Sequence, residues 1–547
     1  MKAILCVGVF LLTLIKISLC NHCAIVATEN GRIGGTCLSF MNTTVVEFLG
    51  IPYAKPPVGQ LRFQKPQPVE CWRGILDATK LPNACIQNSS SLLPWIDHLP
   101  GKSEDCLYLN IFAPIGINDE KKAVLFWIHG GSLQYGSGRL PNYNGTVLAA
   151  KKDIIIVTFN YRLSILGYLR TPDSKVPGNV AIYDFLLALE WVKKNIKYFG
   201  GDPDRITVCG QSSGGILPGI SATSPLFKGL YSRIIMQSGS VSNLGYLDLK
   251  QSMDFSNQIA MEVGCANETF TIEHNTKDVL ECMRYTEPMK LFHATEISLM
   301  RAGLLDYLPQ YGDEILPHDP RKAMLEGNFE YHDILIGVDK DDGTILLPMG
   351  LPQYYGDLGQ KSFNMTLEFA KNFVYQSFRN ILSDPEPIID YYLSGFNGKE
   401  FEEIRRNVSV VFGDYFFYCP STYTAEGFLR KENKVYFYIN DHRSSISPMA
   451  DWLEVTHFEE VEFIFGDPFR YPQSYTVEEI GFAEDMMEFW ANFVKYGDPR
   501  TEEVYWPTYK RSEPLYLVLS PGNYRIGNDA HIDNCNFWRQ PFNITIN

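Results

Sequence analysis

Residues 207–216 read TVCGQSSGGI. The apolar, β-branched run from Arg205 to Cys209 predicts a short buried strand, which stops at Gly210. A G-x-S-x-G pattern follows, with Ser212 at its centre. This pattern is typical of a nucleophile elbow, in which a strand precedes the serine, a helix follows it, and small neighbours leave room for the strained turn. The context therefore favours Ser212 as a nucleophile.

The same pattern also arises by chance as a turn of small residues. One neighbour fits poorly with a regular helix behind the serine, because Pro218 lies only six residues after Ser212. A proline inside a helix removes a backbone N–H and crowds the preceding turn. We therefore expect the helix after Ser212 to be kinked or shortened.

Apolar strand candidates alternate with helical segments on both sides of this unit. Strands are predicted at 124–128, 154–159, 205–209, 234–236, 334–338 and 435–439. Residues 184–196 have the apolar spacing of a helix. Uninterrupted apolar strands between helices indicate a mostly parallel, mixed sheet covered by helices on both faces. We expect one α/β domain with long insertions over residues 21–547.

The composition argues against several classes of function. The 547 residues carry a net charge of −15 and no basic run, which argues against nucleic acid as a partner. After the N-terminal segment, no stretch reaches the roughly 18 uninterrupted apolar residues typical of a membrane span. No metal or cofactor is expected.

The first twenty residues predict a signal peptide. Lys2 is followed by an apolar run over residues 3–15, and small residues allow cleavage before Asn21. The twelve cysteines suit an oxidising compartment, so we expect a secreted, extracellular protein. The N-x-S/T sequons predict glycosylation at Asn42, Asn88, Asn144, Asn267, Asn364, Asn407 and Asn543.

A serine nucleophile needs a base to take its proton, an acid to orient that base, and donors for the oxyanion. In hydrolases built on this elbow, the acid and then the base follow the serine along the chain. The strand at 334–338 leads into three candidate acids, Asp339, Asp341 and Asp342. One of them is expected to be the acid, and the others are interpreted as solvated turn residues.

Two histidines, His442 and His457, follow the strand at 435–439, and chain order does not choose between them. The oxyanion donors should come from a glycine-containing loop after an earlier strand. The segment IHGGS at 128–132 has this position, because its glycines let backbone N–H groups approach a substrate oxygen.

With these features placed, the chain resembles the type-B carboxylesterase/cholinesterase family, which has the α/β-hydrolase fold, over almost its full mature length. The matching segments occur in one order and include GIPYAKPPVGQLRFQKPQP (50–68), SEDCLYLNIFAP (103–114), FNYRLSILGYL (159–169), the segment from GN to GQSSGG (178–215), MQSGS (236–240), GVDKDDG (337–343), FGDYFFYCP (412–420) and HFEEVEFIFG (457–466).

The resemblance implies roles for individual residues. The family's base heads an H-x-x-x-x-x-F-x-F-G segment, which selects His457 and leaves His442 a structural residue. The family's acid directly precedes the glycine of G-V-x-x-D-E-G, which selects Asp342, although most relatives have glutamate there. The implied oxyanion donors are the N–H groups of Gly131, Ser132 and Ser213, with Ser132 standing where relatives commonly carry a third glycine.

The resemblance also implies disulfides, which are Cys85–Cys106, Cys265–Cys282 and Cys419–Cys535. Cys209 is expected to be a free buried thiol. Three cysteines of the mature chain, Cys23, Cys37 and Cys71, are left over, and two of them can pair.

The expected function is that of a secreted serine carboxylesterase acting on small ester substrates through an acyl-enzyme. Family members that hydrolyse choline esters carry a tryptophan in the first disulfide loop, a glutamate before the serine and an aromatic residue after the acid. This chain has Trp95, but Gln211 replaces the glutamate and residues 343–346 lack an aromatic. A cholinesterase, and a non-catalytic or slow stoichiometric binder of esters or toxicants, remain the alternatives. The physiological ester, its acyl length and the oligomeric state stay open.

Overall fold

The computed structural model describes residues 22–88, 101–115, 120–173, 175–243, 245–302, 307–528, 531–542 and 544. The predicted signal peptide, Trp95 and the sequon at Asn543 lie outside the described residues.

Thirteen strands within the described residues form one mixed sheet. Their bounds are β1 Ala24–Ala27, β2 Arg32–Phe40, β3 Thr43–Pro52, β4 Ile75–Asp77, β5 Tyr108–Pro114, β6 Lys122–Ile128, β7 Ile155–Phe159, β8 Gly201–Gln211, β9 Arg233–Gln237, β10 Asp333–Asp339, β11 Val435–Asn440, β12 Leu515–Leu519 and β13 Arg525–Asn528.

The strand order is β1-β2-β3-β5-β7-β6-β8-β9-β10-β11-β12-β13, with β4 beside β2. From β7 to β12 all neighbouring strands are parallel. The strands from β1 to β5 on the main path, and β13 at the other end, pair antiparallel. The predicted mostly parallel, mixed sheet is confirmed.

Eighteen helices are present in the same parts of the chain. They are α1 Thr146–Lys152, α2 Ser164–Tyr168, α3 Val180–Asn195, α4 Ser213–Thr223, α5 Leu249–Glu262, α6 Thr276–Tyr285, α7 Pro288–Ala302, α8 Pro320–Leu325, α9 Leu346–Gly350, α10 Pro352–Tyr355, α11 Leu367–Phe378, α12 Glu386–Leu393, α13 Phe401–Gly413, α14 Cys419–Phe428, α15 Val461–Phe465, α16 Asp467–Arg470, α17 Val477–Tyr496 and α18 Ile532–Trp538.

Strand β6 shows why both faces of the sheet are covered. Its alternate residues Phe126 and Ile128 belong to one buried cluster, together with apolar residues of α3 and α4. The residues between them, Leu125 and Trp127, belong to a second cluster with residues of α1, α15 and α17. Successive side chains of a strand point to opposite faces, so an uninterrupted apolar strand requires helices on both sides.

The helix after Ser212 continues through Pro218. Helix α4 runs from Ser213 to Thr223 with Pro218 in its interior, so the proline does not end the helix. Residues 213–222 are all buried, and this packing outweighs the cost of a proline in a helix, roughly 3 kcal/mol.

The structure pairs the cysteines within the described residues into four disulfides. Three are the pairs implied by the resemblance, Cys85–Cys106, Cys265–Cys282 and Cys419–Cys535. The fourth joins Cys23 to Cys37, which leaves Cys71 as an exposed thiol. Cys209 is a free buried thiol, as predicted.

The sequon asparagines differ in exposure. Asn42, Asn267 and Asn364 are exposed, whereas Asn88, Asn144 and Asn407 are half-buried. Asn407 lies within α13 and donates from Nδ2 to the carbonyl of Glu403. The exposed asparagines are therefore the most accessible acceptors for a glycan.

None of the helices in the described residues combines the length and the apolar composition that crossing a bilayer requires.

Candidate active site

Ser212 occupies a strained turn between β8 and α4. Its backbone has φ 58° and ψ −132°, a region that non-glycine residues rarely adopt. Its neighbours leave almost no room, since a Cβ at Gly210 would lie 2.0 Å from the Gly214 carbonyl oxygen. A Cβ at Gly239 would lie 1.9 Å from the Ser212 carbonyl oxygen. The glycines allow this turn, which leaves the Ser212 side chain partly exposed in a cleft.

Asp342 is fully buried at the start of a short 3₁₀ turn that follows β10. Its Oδ2 accepts hydrogen bonds from Ser238 Oγ at 2.8 Å and from the Asp339 N–H at 3.0 Å. Its Oδ1 lies 2.6 Å from His457 Nδ1. The shorter aspartate side chain therefore reaches the imidazole directly.

His457 lies in the loop before α15, and each of its ring nitrogens contacts one polar side chain. Nδ1 contacts Asp342, and Nε2 lies 3.1 Å from Gln211 Nε2. The next residue, Phe458, has a positive φ of 86°, which turns the chain sharply after the histidine. His442 is placed differently, because its Nε2 lies 3.3 Å from Glu479 Oε1. The structure brings His457 to the cleft of Ser212, and His442 does not line that cleft.

Asp339 is not the solvated turn residue that the sequence predicted. It is fully buried at the end of β10, where Oδ1 accepts from Asn440 Nδ2 at 2.8 Å and Oδ2 accepts from the Phe458 N–H at 3.0 Å. Burial, and then the charges of Glu460 and Asp342, raise the pKa of Asp339. The run D-K-D-D-G looks solvated in sequence, but its first residue still belongs to a strand that is buried on both faces.

Asp341 fits the predicted turn role better. It is half-buried, and its Oδ2 lies 3.4 Å from the N–H of Val455. Of the three aspartates, only Asp342 contacts His457 among the described hydrogen bonds.

The segment that the sequence predicts to supply oxyanion donors, residues 129–133 and hereafter the oxyanion loop, follows β6 and takes an unusual backbone path. Gly131, Ser132 and Leu133 have φ values of 113°, 58° and 57°. The Leu133 N–H donates to Ser213 Oγ at 3.2 Å, which ties the loop to the start of α4. No described residue accepts a hydrogen bond from the N–H groups of Gly131, Ser132 or Ser213. These groups are thus available to a bound oxygen.

The cleft is largely apolar. Apart from the residues above, its lining includes Leu140, Tyr143, Ile216, Ile345, Leu346, Met349, Phe416, Phe417 and Phe458. Within the described part of the chain, no aspartate or glutamate side chain lines it. The ring centroid of Phe417 lies 4.7 Å from that of His457, so an aromatic wall stands beside the imidazole.

Sequence reasoning missed several residues that support this arrangement. Ser238 donates to Asp342, and Gln211 contacts His457. Glu460 is fully buried close to Asp339 and accepts from Gln237 Nε2 at 2.9 Å. Ser238 lies in the segment MQSGS, and nothing in the sequence connects this segment to the acid.

Comparison with known proteins identifies the family. The model of the Carboxylesterase family matches residues 22–538. Acetylcholinesterase-1 of Trittame loki is 38% identical over 531 residues, covering 95% of each chain. Cholinesterase of Mus musculus is 33% identical, covering 94% of this chain and 86% of that one. Acetylcholinesterase of Leptinotarsa decemlineata is also 33% identical, covering 94% of this chain and 85% of that one. Since these matches span nearly the whole chain, the protein belongs to the carboxylesterase family, a family of serine esterases with the α/β-hydrolase fold.

Proposed function

We propose that the protein is a secreted serine carboxylesterase that hydrolyses small, uncharged carboxylic esters. The observation that carries this proposal is the contact of His457 Nδ1 with Asp342 Oδ1 at 2.6 Å, in the same cleft that Ser212 lines. The three side chains supply a nucleophile, a base and an orienting acid.

Ser212 Oγ attacks the ester carbonyl carbon and gives its proton to His457 Nε2. Asp342 holds the Nδ1–H and stabilises the imidazolium that forms. The oxyanion accepts hydrogen bonds from the N–H groups of the oxyanion loop and of Ser213. His457 returns the proton to the leaving alcohol, and a water molecule then hydrolyses the acyl-enzyme by the same route.

The preference for uncharged esters rests on the cleft lining. A carboxylate attracts a cationic alcohol group over a neutral one of the same shape, whereas aromatic rings, such as Phe416 and Phe417 of this lining, pack against both. Here Gln211 is neutral, the side chains after the acid are the aliphatic Ile345 and Leu346, and the described lining carries no carboxylate. Although the relatives are named as cholinesterases, these features favour neutral substrates for this chain.

Secretion is part of the proposal. Four disulfides within the described residues fit an oxidising compartment. Exposed sequon asparagines such as Asn42, Asn267 and Asn364 fit a glycosylated surface.

The proposed roles predict that Ser212→Ala and His457→Ala each lower turnover of a neutral aryl ester by about 10⁴–10⁶, because the triad acts as a unit. His442→Ala is the matched control and should alter stability at most. Turnover is measured by release of the chromogenic alcohol, with thermal unfolding to check the fold. A Ser212→Ala protein that keeps a tenth of the activity would contradict the assignment. Steady turnover by the wild type, rather than a single stoichiometric burst, separates an esterase from a slow binder.

Substrate charge is tested with two acetates of the same shape. Acetylcholine carries a quaternary nitrogen where 3,3-dimethylbutyl acetate carries a quaternary carbon. We expect kcat/KM to be higher for the uncharged ester, because the described cleft lining offers no countercharge. A kcat/KM that is about tenfold higher for the choline ester would make the protein a cholinesterase instead.

A further inference from the structure

The nitrogen of His457 that must take the proton of Ser212 already has a partner. Gln211 is only 1% exposed, and its Nε2 lies 3.1 Å from His457 Nε2. A base with Asp342 accepting at Nδ1, 2.6 Å away, carries its hydrogen on Nδ1, and Nε2 of that tautomer presents a lone pair and can only accept. The amide N–H of Gln211 is therefore the donor in this contact.

The orientation of the Gln211 amide follows from its surroundings. The amide oxygen lies on the side of Gly130, where a Cβ would be 3.2 Å from Gln211 Oε1. A reversed amide would set an oxygen lone pair against the lone pair of His457 Nε2, which is repulsive. The backbone of Gln211 is fixed as well, because it is the last residue of β8 and pairs with Gln237 of β9.

Ser212 Oγ has no hydrogen-bond partner among the residues that the structure describes. The ring nitrogen has one lone pair in the ring plane, so the amide of Gln211 and the hydroxyl of Ser212 compete for it. In this conformation the amide holds it.

We propose that Gln211 is a positioning residue that holds His457 in a resting state, by occupying the lone pair that Ser212 needs, and that it releases this lone pair at each attack. This inference rests on the proposed function. In the attack, one proton passes from Ser212 Oγ to His457 Nε2, the electron pair of Oγ forms the bond to the carbonyl carbon, and the π pair of the C=O bond moves onto the carbonyl oxygen. Gln211 neither gains nor loses a proton. Because the imidazolium is a donor at Nε2, the Gln211 N–H must turn away from it.

The test replaces Gln211 by methionine, which has about the same length and no donor. A net hydrogen bond between neutral groups corresponds to a factor of about 3–10 in an equilibrium. We therefore expect Gln211→Met to raise kcat for a neutral aryl ester by about that factor while KM changes by less than about twofold. Inactivation by a neutral organophosphonate, which also requires attack by Ser212, should accelerate by the same factor.

A role in packing alone predicts a different result, in which both rate constants stay unchanged or fall, and this outcome overturns the inference. Gln211→Leu repeats the measurement if the methionine variant does not fold. A crystal structure of the wild-type protein provides a test without substitution. We expect Gln211 Nε2 within hydrogen-bond distance of His457 Nε2 in the free enzyme and beyond about 3.5 Å in the phosphonylated enzyme.

A crystal structure of the free enzyme in which Ser212 Oγ is hydrogen-bonded to His457 Nε2, with Gln211 turned away, would also contradict the inference. The Ser212→Ala variant keeps the two proposals separable. If that variant remains active, the proposed function fails, whereas an inactive Ser212→Ala with an unchanged Gln211→Met refutes only the role of Gln211.

Discussion

At the scale of single residues, Ser132 tests whether the oxyanion loop acts through its backbone. Its φ of 58° suits glycine better than serine, but its N–H is available in either case. We expect Ser132→Gly to keep turnover within about threefold. Ser132→Ala removes the hydroxyl and keeps the N–H, so its turnover should also stay within about threefold of the wild type, far from the loss of about 10²–10³ that is typical of a missing oxyanion donor. The measurements are kcat on a neutral aryl ester and the melting temperature of each variant.

A Ser132→Ala protein and a Ser132→Gly protein that both melt like the wild type but lose about 10²-fold in turnover would contradict this prediction. Such losses would indicate that the serine hydroxyl, rather than the N–H, serves the reaction.

The residues of the site were predictable to different degrees. The H-x-x-x-x-x-F-x-F-G segment indicated His457 as the base. The other candidate, His442, instead contacts Glu479 in the structure. Asp339 could not be recognised, because burial of a carboxyl group depends on which strands flank it. The contact between Gln211 and His457 was equally invisible, since it joins residues 246 positions apart.

At the scale of elements, the short helix α15 carries a carboxyl group that should make stability depend on pH. Burial raises the pKa of Glu462 to about 7, although hydrogen bonds from Ser444 and Tyr475 act to lower it. Its Oε1 is buried with no hydrogen-bond partner, as suits a protonated carboxyl group. A folded-state pKa above the unfolded value stabilises the fold below about pH 4.5, and this contribution is lost as the pH rises to about 7.

We therefore expect Glu462→Gln to reduce the difference in the free energy of unfolding between pH 5 and pH 8 by about 2 kcal/mol. Denaturant unfolding at the two pH values measures this difference. The exposed Glu502, replaced by glutamine, serves as the control and should leave the difference as in the wild type. A Glu462→Gln protein with the full pH dependence would place the titrating group elsewhere.

The strands were easier to predict than the helices. Each predicted strand core lies in or overlaps an observed strand, because an apolar run buried on both faces leaves a plain signal in the sequence. The continuation of α4 through Pro218 was harder to predict, because the cost of the proline is local while the packing that outweighs it comes from the whole core. The pairing of Cys23 with Cys37 likewise required the antiparallel pairing of β1 and β2.

At the scale of the whole molecule, the disulfide Cys419–Cys535 fastens α18 to the body of the protein across 116 residues. The segment just before it, Asp414–Tyr418, forms a π-helical turn that contains Phe416 and Phe417 of the cleft wall. Asp414 in this turn accepts from His531 Nδ1 at 2.6 Å. The disulfide therefore supports both the fold and the shape of the cleft.

Replacing both Cys419 and Cys535 by serine should lower the free energy of unfolding by about 3–5 kcal/mol and raise KM for a neutral ester. The matched control replaces Cys265 and Cys282, which close a loop of 17 residues away from the cleft lining. That variant should lose stability without a change in KM. Unfolding curves and steady-state kinetics provide the measurements. Equal KM values in the two variants would show that the Cys419–Cys535 disulfide does not shape the cleft.

The spacing of the site along the chain has a consequence for biosynthesis. Asp342 and His457 are 115 residues apart, and Gln211 next to the nucleophile is 246 residues from the same histidine. On the ribosome the serine emerges long before its base, and contacts between such distant segments form late because long loops must close first. Under the proposed function, a nascent or truncated chain that lacks His457 carries a serine without its base, and we expect it to hydrolyse no ester. We expect ester turnover to begin only after most of the polypeptide has been made and folded, so turnover would report that folding is complete.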